Sequence, residues 1–472
     1  MSTPLPVNEA SFELDELVAH TGGRLVRRGA AKARGICTDS RSLRPGNAFV
    51  ALVGTRHDGH DFLERATQSG AAALVVRDAA RAPHDPSVAV VEVADTLEAL
   101  GALGRAWRRQ WGGRVVCVAG SAGKTTTKEL VAAGLRAAGL RVHAAPGNLN
   151  NRVGVPLVLL GLAPQHELAV LELGTNRRGE IAALSAIAEP DVGVLTLVDV
   201  EHAEGLGTLE DIAREEGALL DALGPAAVAV VNADDAHVEA AAARSRAGRL
   251  LRFGTRAGAQ VRLLGWELTE EPGTRARFEI DGEPLDVVLS LLGPGAALDA
   301  GAALGVALAL GVDRARFVEG LSALRPVPGR LRPVRGPDGC LVLDDTYNAS
   351  PRSLRAALET ARALADRTRR RLFVVLGDML ELGPFEREAH EEAGRRVAEV
   401  GAEFFVAVGP RMRAAADVAH AAGVQASARP DWAATLEVLR GRLAPDVLLL
   451  VKASRSVGLD ALVASLEAGG AS

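Results

Sequence analysis

The sequence predicts an α/β protein that folds into three domains around mainly parallel β-sheets. The chain has 472 residues, which is too long for one ordinary domain. Short apolar runs alternate with segments of helical periodicity, a rhythm typical of βαβ units. The Arg/Trp/Gly stretch at 108–113 and the proline-rich stretch at 325–330 interrupt this rhythm. We therefore expect domains at residues 1–110, 111–326 and 327–472.

The first domain is predicted to be small and to mix short strands with a helix. Its apolar runs predict strands at 48–52 and 73–76 and a helix at 61–69. The third domain returns to alternating strands and helices. Its strands are predicted at residues 340–343, 372–376, 404–408 and 447–451.

The central domain carries the clearest βαβ pattern. Its strands are predicted at residues 115–119, 168–173, 192–198 and 228–231. Helices are expected to begin near residues 124, 181, 209 and 236. Ligands of such sheets bind beyond the carboxyl ends of the strands, so the polar residues after each apolar run are the candidate site.

Composition and charge favour a soluble globular protein and give no sign of nucleic-acid binding. Hydrophobic residues make up 48% and charged residues 24%, as in a globular protein with a substantial core. The net charge is −5 and no basic tail or stripe is present, so we expect no nucleic-acid partner. Cys37, Cys117 and Cys340 are odd in number and widely spaced, which indicates buried side chains in a reducing cytoplasm.

The N-terminal segment and the longest apolar stretch both argue against membrane insertion. The N-terminal segment is acidic and lacks the layout of a signal peptide. The longest apolar stretch, 287–312, contains a Gly-Pro-Gly turn and Asp299, which favours a buried turn and helix over a membrane span. We expect a cytoplasmic, monomeric protein without stable membrane insertion.

A glycine-rich loop follows the first strand of the central domain. The loop reads Gly120-Ser121-Ala122-Gly123-Lys124-Thr125-Thr126 and leads into an amphipathic helix. Backbone N–H groups of such a loop converge on phosphate oxygens, Lys124 reaches the terminal phosphates and Thr125 can hold Mg²⁺. Val118 stands where the full phosphate-loop pattern has its first glycine. The strand-loop-helix context predicts nucleotide binding, and a structural glycine turn is the alternative.

Two candidate metal ligands follow neighbouring strands. Glu172 ends one predicted strand, and His202 follows the next one. Oxygen and imidazole ligands at one edge of the sheet suit a second Mg²⁺ or Mn²⁺. Taken alone, each residue is more often a surface charge or a helix-capping group. We expect Asp191, Asp199 and Asp211 to be solvated turn or first-turn acids.

Motifs spread along nearly the whole chain resemble the Mur ligase family. They are Thr38-Asp39-Ser40-Arg41, Asp58-Gly59-His60-Asp61-Phe62, the phosphate loop, Asn148-Leu149-Asn150-Asn151, Glu172-Leu173-Gly174, Asp344-Asp345-Thr346-Tyr347-Asn348-Ala349-Ser350-Pro351, Gly377-Asp378-Met379-Leu380-Glu381-Leu382-Gly383 and Lys452-Ala453-Ser454-Arg455-Ser456. The resemblance implies an N-terminal UDP-substrate domain, a central phosphate-loop ATPase domain and a C-terminal Rossmann-like domain.

The resemblance also implies a reaction. The Tyr-Asn-Ala-x-Pro and Gly-Asp-Met-x-Glu-Leu-Gly strings resemble the member that joins D-alanyl-D-alanine to UDP-N-acetylmuramoyl-tripeptide. That reaction uses ATP to convert a carboxylate into an acyl phosphate, which an amine then attacks. The third residue of the tripeptide, diaminopimelate or lysine, stays open.

Residue roles are carried over by the same resemblance. Lys124, Glu172 and His202 are implied to be catalytic. Two metal ions are implied, the first held by Thr125 and the second by Glu172 and His202. ATP contacts are implied for the phosphate loop and for Arg330, Asp345, Tyr347 and Asn348. Substrate contacts are implied for Ser40, Arg41, Asp58, Gly59, His60, Asn150, Asn151, Asp378, Glu381, Lys452 and Ser454.

The sequence departs from the family pattern at two places. Family members carry a carbamylated lysine where Glu216 stands here, so we hypothesise that Glu216 supplies a metal-binding carboxylate directly. Its shorter side chain would need a bridging water or a shifted helix; the alternative is a solvated helix acid. The family's Gly-x-His-Asn-x-x-Asn segment near adenine reads Gly-Pro-Gly-Ala-Ala-Leu-Asp at 293–299, so we expect altered adenine contacts and a relaxed nucleotide preference.

Two other functions compete with this one. A related Mur or folylpolyglutamate-type ligase would use a different amino acid, which the motifs at 38–41 and 377–383 argue against. A nucleotide-binding homologue that has lost catalysis would explain the two departures, but it would not need Lys124, Glu172 and His202.

Overall fold

The computed structural model describes residues 5–54 and 57–470 of the chain. Its strands form a two-stranded, a five-stranded, a nine-stranded and a six-stranded sheet, and helices cover the larger ones. The predicted α/β class with mainly parallel sheets and three domains is confirmed. The domain boundaries near residues 110 and 326 stay predictions.

The strands of the N-terminal domain are β1 (Ser11–Glu13), β2 (Arg24–Arg27), β3 (Lys32–Arg34), β4 (Ile36–Cys37), β5 (Ala48–Val50), β6 (Ala73–Val76) and β7 (Ala89–Glu92). The domain is built on the five-stranded sheet, in the order β2-β7-β6-β5-β4. Strands β4 to β7 are parallel, and β2 joins the edge in the antiparallel direction. The helices are α1 (Leu14–Thr21), α2 (Leu63–Gln68) and α3 (Thr96–Trp111).

The helix predicted at 61–69 is shorter than expected. A 3₁₀ turn at Gly59–Phe62 precedes α2, because the Asp58 carboxylate accepts the backbone N–H of His60 at 2.9 Å and caps this tighter turn.

The strands of the central domain are β8 (Arg114–Ala119), β9 (Val142–Ala144), β10 (Leu168–Glu172), β11 (Val192–Leu195), β12 (Val228–Asn232), β13 (Arg249–Gly254), β14 (Val261–Leu268), β15 (Thr274–Ile280) and β16 (Glu283–Leu289). They form the nine-stranded sheet, in the order β16-β15-β14-β13-β12-β11-β8-β10-β9. The helices of this domain are α4 (Lys124–Ala137), α5 (Gly154–Leu160), α6 (Glu180–Ala188), α7 (Ala203–Leu206), α8 (Leu209–Asp221), α9 (Ala236–Ala242), α10 (Gly293–Leu310) and α11 (Arg314–Ala323).

Strands β8 to β13 of this sheet are parallel, whereas β14, β15 and β16 form an antiparallel meander that the sequence analysis did not predict. The predicted strand at 192–198 ends at Leu195. It ends early because the Leu197 carbonyl accepts the N–H of Ser121 at 2.8 Å, which turns this segment toward the phosphate loop instead of the sheet.

The long apolar stretch forms the end of β16, a turn and the core helix α10, as predicted. Among the described residues, α10 is the one helix long and apolar enough to cross a membrane, and 61% of it lies buried inside the protein. It packs against α4 and the sheet of the central domain. Its apolar surface is therefore covered by protein.

The strands of the third domain are β17 (Arg332–Arg335), β18 (Leu341–Asp345), β19 (Arg371–Gly377), β20 (Phe404–Val408), β21 (Gln425–Arg429) and β22 (Val447–Lys452). They form the six-stranded sheet, in the order β17-β18-β22-β19-β20-β21, which is parallel except for β17. The helices are α12 (Pro351–Thr368), α13 (Glu386–Glu399), α14 (Arg413–Ala421), α15 (Trp432–Leu439) and α16 (Asp460–Gly470).

Candidate active site

A cleft of about 1320 Å³ opens where the three domains meet. Its wall combines the phosphate loop, the ends of β10 and β11, and loops of the third domain. The predicted site residues that line it are Ser121, Ala122, Gly123, Lys124, Thr125, Asn150, Asn151, Glu172, His202, Arg330, Tyr347, Asn348, Glu381 and Ser454. The predicted residues outside its wall are Gly120, Thr126, Glu216, Asp345, Asp378, Lys452 and the N-terminal set Ser40, Arg41, Asp58, Gly59 and His60.

The phosphate loop is held open by two glycines and by the segment after β11. Gly120 has φ +127°, and a Cβ there would lie 2.2 Å from Thr196 Oγ1, so a larger residue could not fit. Thr196 in turn donates its hydroxyl to the Ala122 carbonyl at 2.6 Å. These contacts hold the loop in its curved shape.

Lys124 stands at the first turn of α4 with its ammonium folded onto the loop. Its Nζ donates to the Gly120 carbonyl at 2.5 Å and to the Ser121 carbonyl at 3.2 Å. Burial lowers the pKa of Lys124, but the carboxylates of Glu201, Glu216 and Glu172 outweigh it and raise the pKa above its ordinary value. A protonated lysine is therefore ready for an anionic ligand.

Glu172 and Thr125 form an oxygen pair beside Lys124. The Thr125 hydroxyl donates to Glu172 Oε2 at 2.9 Å, and the Asn150 side-chain amide donates to Oε1 at 2.8 Å. Glu172 is 3% exposed and ends β10, so a strand of the parallel sheet fixes its position. A carboxylate and a hydroxyl this close are donors that a hard divalent cation prefers.

Four metal ligands were predicted, and of these the structure pairs Thr125 with Glu172 but does not add His202 and Glu216 to one ligand group. Among residues 5–54 and 57–470, no group of three or more His, Cys, Asp or Glu side chains could hold a metal ion. The His202 ring instead hydrogen-bonds Glu381 of the third domain through Nδ1. The Glu216 carboxylate accepts the N–H of Gly120 at 2.8 Å.

Glu216 is buried in α8, so the alternative of a solvated helix acid is wrong. Burial raises its pKa to about 7, although Lys124 and the Gly120 N–H lower it. Its neighbour Glu215 is also buried and accepts the N–H groups of Gly179 and Ile181 at 2.6 and 2.8 Å, which caps α6. The two adjacent acids thus support the two loops of the site.

The expectation that Asp199 is solvated is wrong. Burial raises the pKa of Asp199 above its ordinary value, and its Oδ2 is buried with no hydrogen-bond partner within the described residues. Its backbone pairs with the Ser121 side chain at 2.9 and 3.1 Å, which ties the segment after β11 to the phosphate loop. Asp211 lies in the first turn of α8 as predicted, and Asp191 pairs with Arg108.

The third domain contributes a cationic and aromatic wall. The Arg330 guanidinium stacks 4.0 Å above the centre of the Tyr347 ring and donates to the Thr125 hydroxyl at 3.2 Å. Arg455 lies 5.9 Å from the same ring centre. This wall faces the phosphate loop across the cleft.

Three further predicted site residues lie behind the cleft wall. Lys452 and Asp345 form a buried ion pair at 2.6 Å, and the Asp378 carboxylate accepts the N–H of Met412 at 2.7 Å. Ser454 lines the cleft, and its hydroxyl accepts the N–H of Leu380 at 2.9 Å, which positions the loop that carries Glu381.

The predicted residues of the N-terminal domain lie outside the cleft wall. The His60 ring is buried between the Asp58 carboxylate at 2.7 Å and the Arg77 N–H at 2.9 Å, so both ring nitrogens have protein partners. Arg41 is exposed and pairs with Asp39 at 2.7 Å.

Sequence reasoning missed several polar residues of the cleft. These are Glu201 and the four arginines Arg152, Arg177, Arg178 and Arg455. Arg455 belongs to a quoted motif, Arg152 directly follows another and Glu201 precedes His202, and these positions were the available signal. Arg177 and Arg178 lie three and four residues after the Glu172-Leu173-Gly174 motif. The sequence could not show which of these side chains turn into the cleft.

Comparisons with known proteins agree with the geometry. Family profiles match at residues 32–108 (Mur ligase family, catalytic domain), 118–307 (Mur ligase middle domain) and 329–455 (Mur ligase, glutamate ligase domain). A UDP-N-acetylmuramoyl-tripeptide–D-alanyl-D-alanine ligase of Escherichia coli (strain K12) is 34% identical, covering 92% of this chain and 94% of the relative. The ligase of the same name from Synechocystis sp. is 36% identical, covering 92% of each.

Solved structures give the same result. A crystal structure of MurF from Acinetobacter baumannii superposes with a TM-score of 0.86 at 31% identity, covering 99% of this chain and 100% of that one. The MurF ligase of Thermotoga maritima in complex with ADP superposes with a TM-score of 0.81 at 32% identity, covering 92% and 97%. With relatives above 30% identity over almost its full length, the chain belongs to the Mur ligase family.

Proposed function

We propose that this chain joins D-alanyl-D-alanine to UDP-N-acetylmuramoyl-tripeptide with ATP, forming the pentapeptide precursor of peptidoglycan. The observation that carries the proposal is the arrangement of Lys124, Thr125 and Glu172 opposite Arg330 and Tyr347 in one cleft. The relatives that the chain resembles over most of its length bear the name of this activity. The cytoplasm is the proposed compartment, and the three cysteines, all free, suit it.

The chemistry follows from the charges in the cleft. A carboxylate resists attack by an amine, because it is anionic and would have to expel oxide. Its oxygen attacks the γ-phosphorus of ATP and releases ADP, which gives an acyl phosphate. The free amine of D-alanyl-D-alanine then attacks the acyl carbon, and inorganic phosphate and a proton leave as the amide forms.

Lys124 and the loop N–H groups are the proposed phosphate ligands. The first step brings two anions together, so the protonated ammonium and the dipole of α4 lower its barrier by neutralising charge. Arg330 is placed to add a second positive charge beside Thr125. Tyr347 and Asn348 close the cleft from the third domain and exclude water, which would otherwise hydrolyse the acyl phosphate.

A Mg²⁺ ion fits the oxygen pair of Thr125 and Glu172. Bound there, it would neutralise charge on the ATP phosphates. His202 lies in the same cleft with Nδ1 bonded to Glu381, and its Nε2, 3.8 Å from Glu201 Oε1, is the nitrogen that a second ion would need. We therefore propose one magnesium site at Thr125 and Glu172 and keep the second site as a prediction.

The two organic substrates are proposed to reach the cleft from opposite domains. Ser40, Arg41, Asp58 and Gly59 of the N-terminal domain remain the predicted contacts of the UDP portion. On the other side, Glu381 and Ser454 line the cleft and are the proposed contacts of D-alanyl-D-alanine.

Phosphate release in the presence of ATP tests the proposal. We expect release only when both UDP-N-acetylmuramoyl-tripeptide and D-alanyl-D-alanine are present, with a mass increase that corresponds to the pentapeptide. Comparing phosphate release for tripeptides with diaminopimelate or with lysine at the third position shows which third residue the enzyme accepts. Release with glutamate or another single amino acid in place of the dipeptide would show a different ligase of the family.

Lys124→Ala is predicted to abolish catalysis. Removing the ammonium leaves the phosphates without their main cation, and we expect ADP formation to fall by a factor of about 10³ or more. Lys32→Ala, which removes an exposed surface ion pair with Glu13, is the matched control. Undiminished ADP formation by Lys124→Ala would contradict the proposed role of the phosphate loop.

A further inference from the structure

Glu201 is a largely buried acid to which the mechanism above assigns no role. It lies in the loop between β11 and α7 and lines the cleft, with 14% of its side chain exposed. Its two carboxylate oxygens face different domains. Oε2 lies 3.7 Å from Nζ of Lys124, and Oε1 accepts the side-chain amide of Asn348 at 2.7 Å.

Asn348 is rigidly attached to the third domain. Its backbone carbonyl accepts Nζ of Lys452 at 2.9 Å, and the same ammonium pairs with Asp345 at 2.6 Å. Lys452 and Asp345 end two neighbouring parallel strands, β22 and β18, and both are buried. Any movement of the third domain therefore moves the amide that holds Glu201.

On the other side, Glu201 is the acid that completes the surroundings of the Lys124 ammonium. The Lys124 ammonium directs two of its protons to the carbonyls of Gly120 and Ser121 in the phosphate loop. The contact with Glu201 is longer and comes from the cleft side. The direction of the ammonium thus depends on a carboxylate whose own position depends on Asn348.

We propose that Glu201 is a positioning residue that couples docking of the third domain to the orientation of Lys124. When the domain docks, Asn348 fixes the carboxylate of Glu201, and the fixed carboxylate orients the ammonium toward the cleft. The inference rests on the proposed function, because Lys124 acts there on the phosphates of ATP.

A double-mutant cycle on the full-length enzyme tests this coupling. The variants are Glu201→Ala, Asn348→Ala and the double variant, assayed for kcat and for the KM of ATP with both organic substrates. We expect each single change to lower kcat by about tenfold or more, because a misdirected ammonium stabilises the transition state poorly. The KM of ATP should change by less than about threefold, and the double variant should be no slower than the slower single variant.

Two further variants separate positioning from folding. Glu201→Gln can still accept the amide of Asn348 but carries no charge, so its kcat should lie between those of the wild type and Glu201→Ala. Glu319→Ala removes an exposed acid on α11, away from the cleft, and should behave as the wild type. Melting temperatures of all variants report whether any of them is unfolded.

Three results would overturn the inference. They are a wild-type kcat for Glu201→Ala, a rise in the KM of ATP with unchanged kcat, and losses that add up in the double variant. Failure of the proposed function is distinguishable, because then the wild-type enzyme itself would form no ADP in response to the two substrates.

Discussion

At the scale of single residues, Glu216 illustrates how a predicted ligand position can serve the site in another way. Its carboxylate is 3% exposed and holds the N–H of Gly120, the first residue of the phosphate loop. A ligand of a bound cation would be expected in the cleft wall, but Glu216 lies outside that wall. The geometry therefore favours support of the loop over metal binding.

Glu216→Ala and Glu216→Gln separate these two roles. Alanine leaves a buried N–H unpaired, which costs roughly 1–3 kcal/mol, so the melting temperature should fall and the KM of ATP should rise. Glutamine keeps an acceptor oxygen and should stay close to the wild type. Turnover is measured across a range of Mg²⁺ concentrations. An equal rise in the Mg²⁺ requirement of both variants would support metal binding instead.

Arg177 is the second residue whose role emerges from its surroundings. It lines the cleft after β10, is exposed, and no contact of its guanidinium is seen in the described structure, whereas Arg152 and Arg178 pair with Glu98 and Asp211. An available guanidinium suits the carboxylates and phosphates of the UDP-linked substrate.

Arg177→Ala is predicted to weaken binding of the UDP-linked substrate. We expect its KM to rise about tenfold, with little change in kcat or in the KM of ATP, because the lost contact is made equally in the ground and transition states. Arg246→Ala, an exposed arginine after α9, is the control. An unchanged KM for the UDP-linked substrate would show that Arg177 does not contact it.

At the scale of elements, α10 meets α4 directly behind the phosphate loop. The Asp299 carboxylate accepts the hydroxyl of Thr127 at 3.3 Å, and a Cβ on Gly123 would lie 2.4 Å from its Oδ1. Burial raises the pKa of Asp299 to about 8, although Thr127 and Arg330 lower it. The segment that departs from the family pattern thus packs against the start of α4.

Asp299→Asn is predicted to change the pH dependence of stability. The folded protein favours the neutral carboxyl, so the stability it confers is present below the unfolded pKa near 3.8 and is lost as pH rises through about 8. Asparagine stays neutral at every pH and can accept the same hydroxyl. We expect the melting temperature of the variant, relative to that of the wild type, to rise steadily from pH 5 to pH 8.5. A constant difference across pH would contradict a buried, neutral Asp299.

At the scale of the whole molecule, the site is complete only with the third domain docked. The contacts that close it are the hydrogen bond of Glu201 with Asn348, that of Thr125 with Arg330, and that of His202 with Glu381. The backbone N–H of Glu204 also donates to the Glu381 carbonyl at 3.2 Å. Away from the cleft, Arg352 pairs with Asp235 at 3.7 Å and α12 packs against α10, so polar and apolar contacts together hold the third domain on the central one.

Glu381→Ala is predicted to favour the open arrangement. Losing the side-chain contact with His202 should increase the radius of gyration in small-angle X-ray scattering. It should also raise hydrolysis of the acyl phosphate, measured as phosphate release without D-alanyl-D-alanine, because water enters the cleft more easily. Glu388→Ala, an exposed acid on α13, is the control. A variant as compact as the wild type would show that this contact does not hold the domains together.

Much of the fold could be predicted because its signals are local. The strand at Phe404–Val408 and the start of α4 at Lys124 were predicted to the residue, since apolar runs and a glycine loop identify them without reference to the rest of the chain. The meander β14 to β16 was missed, because apolar and charged residues are mixed within its partly exposed strands, which therefore lack long apolar runs.

The class of fold, the phosphate loop and the family could be inferred from residues that are adjacent in the chain. The roles of distant side chains became visible in the folded protein. Folding turns His202 toward Glu381, places Glu216 under Gly120 and brings Glu201 between Lys124 and Asn348. Hydrogen bonds and charge pairs act over a few ångströms, whereas these partners lie between 77 and 179 residues apart along the chain, so no local pattern announces them.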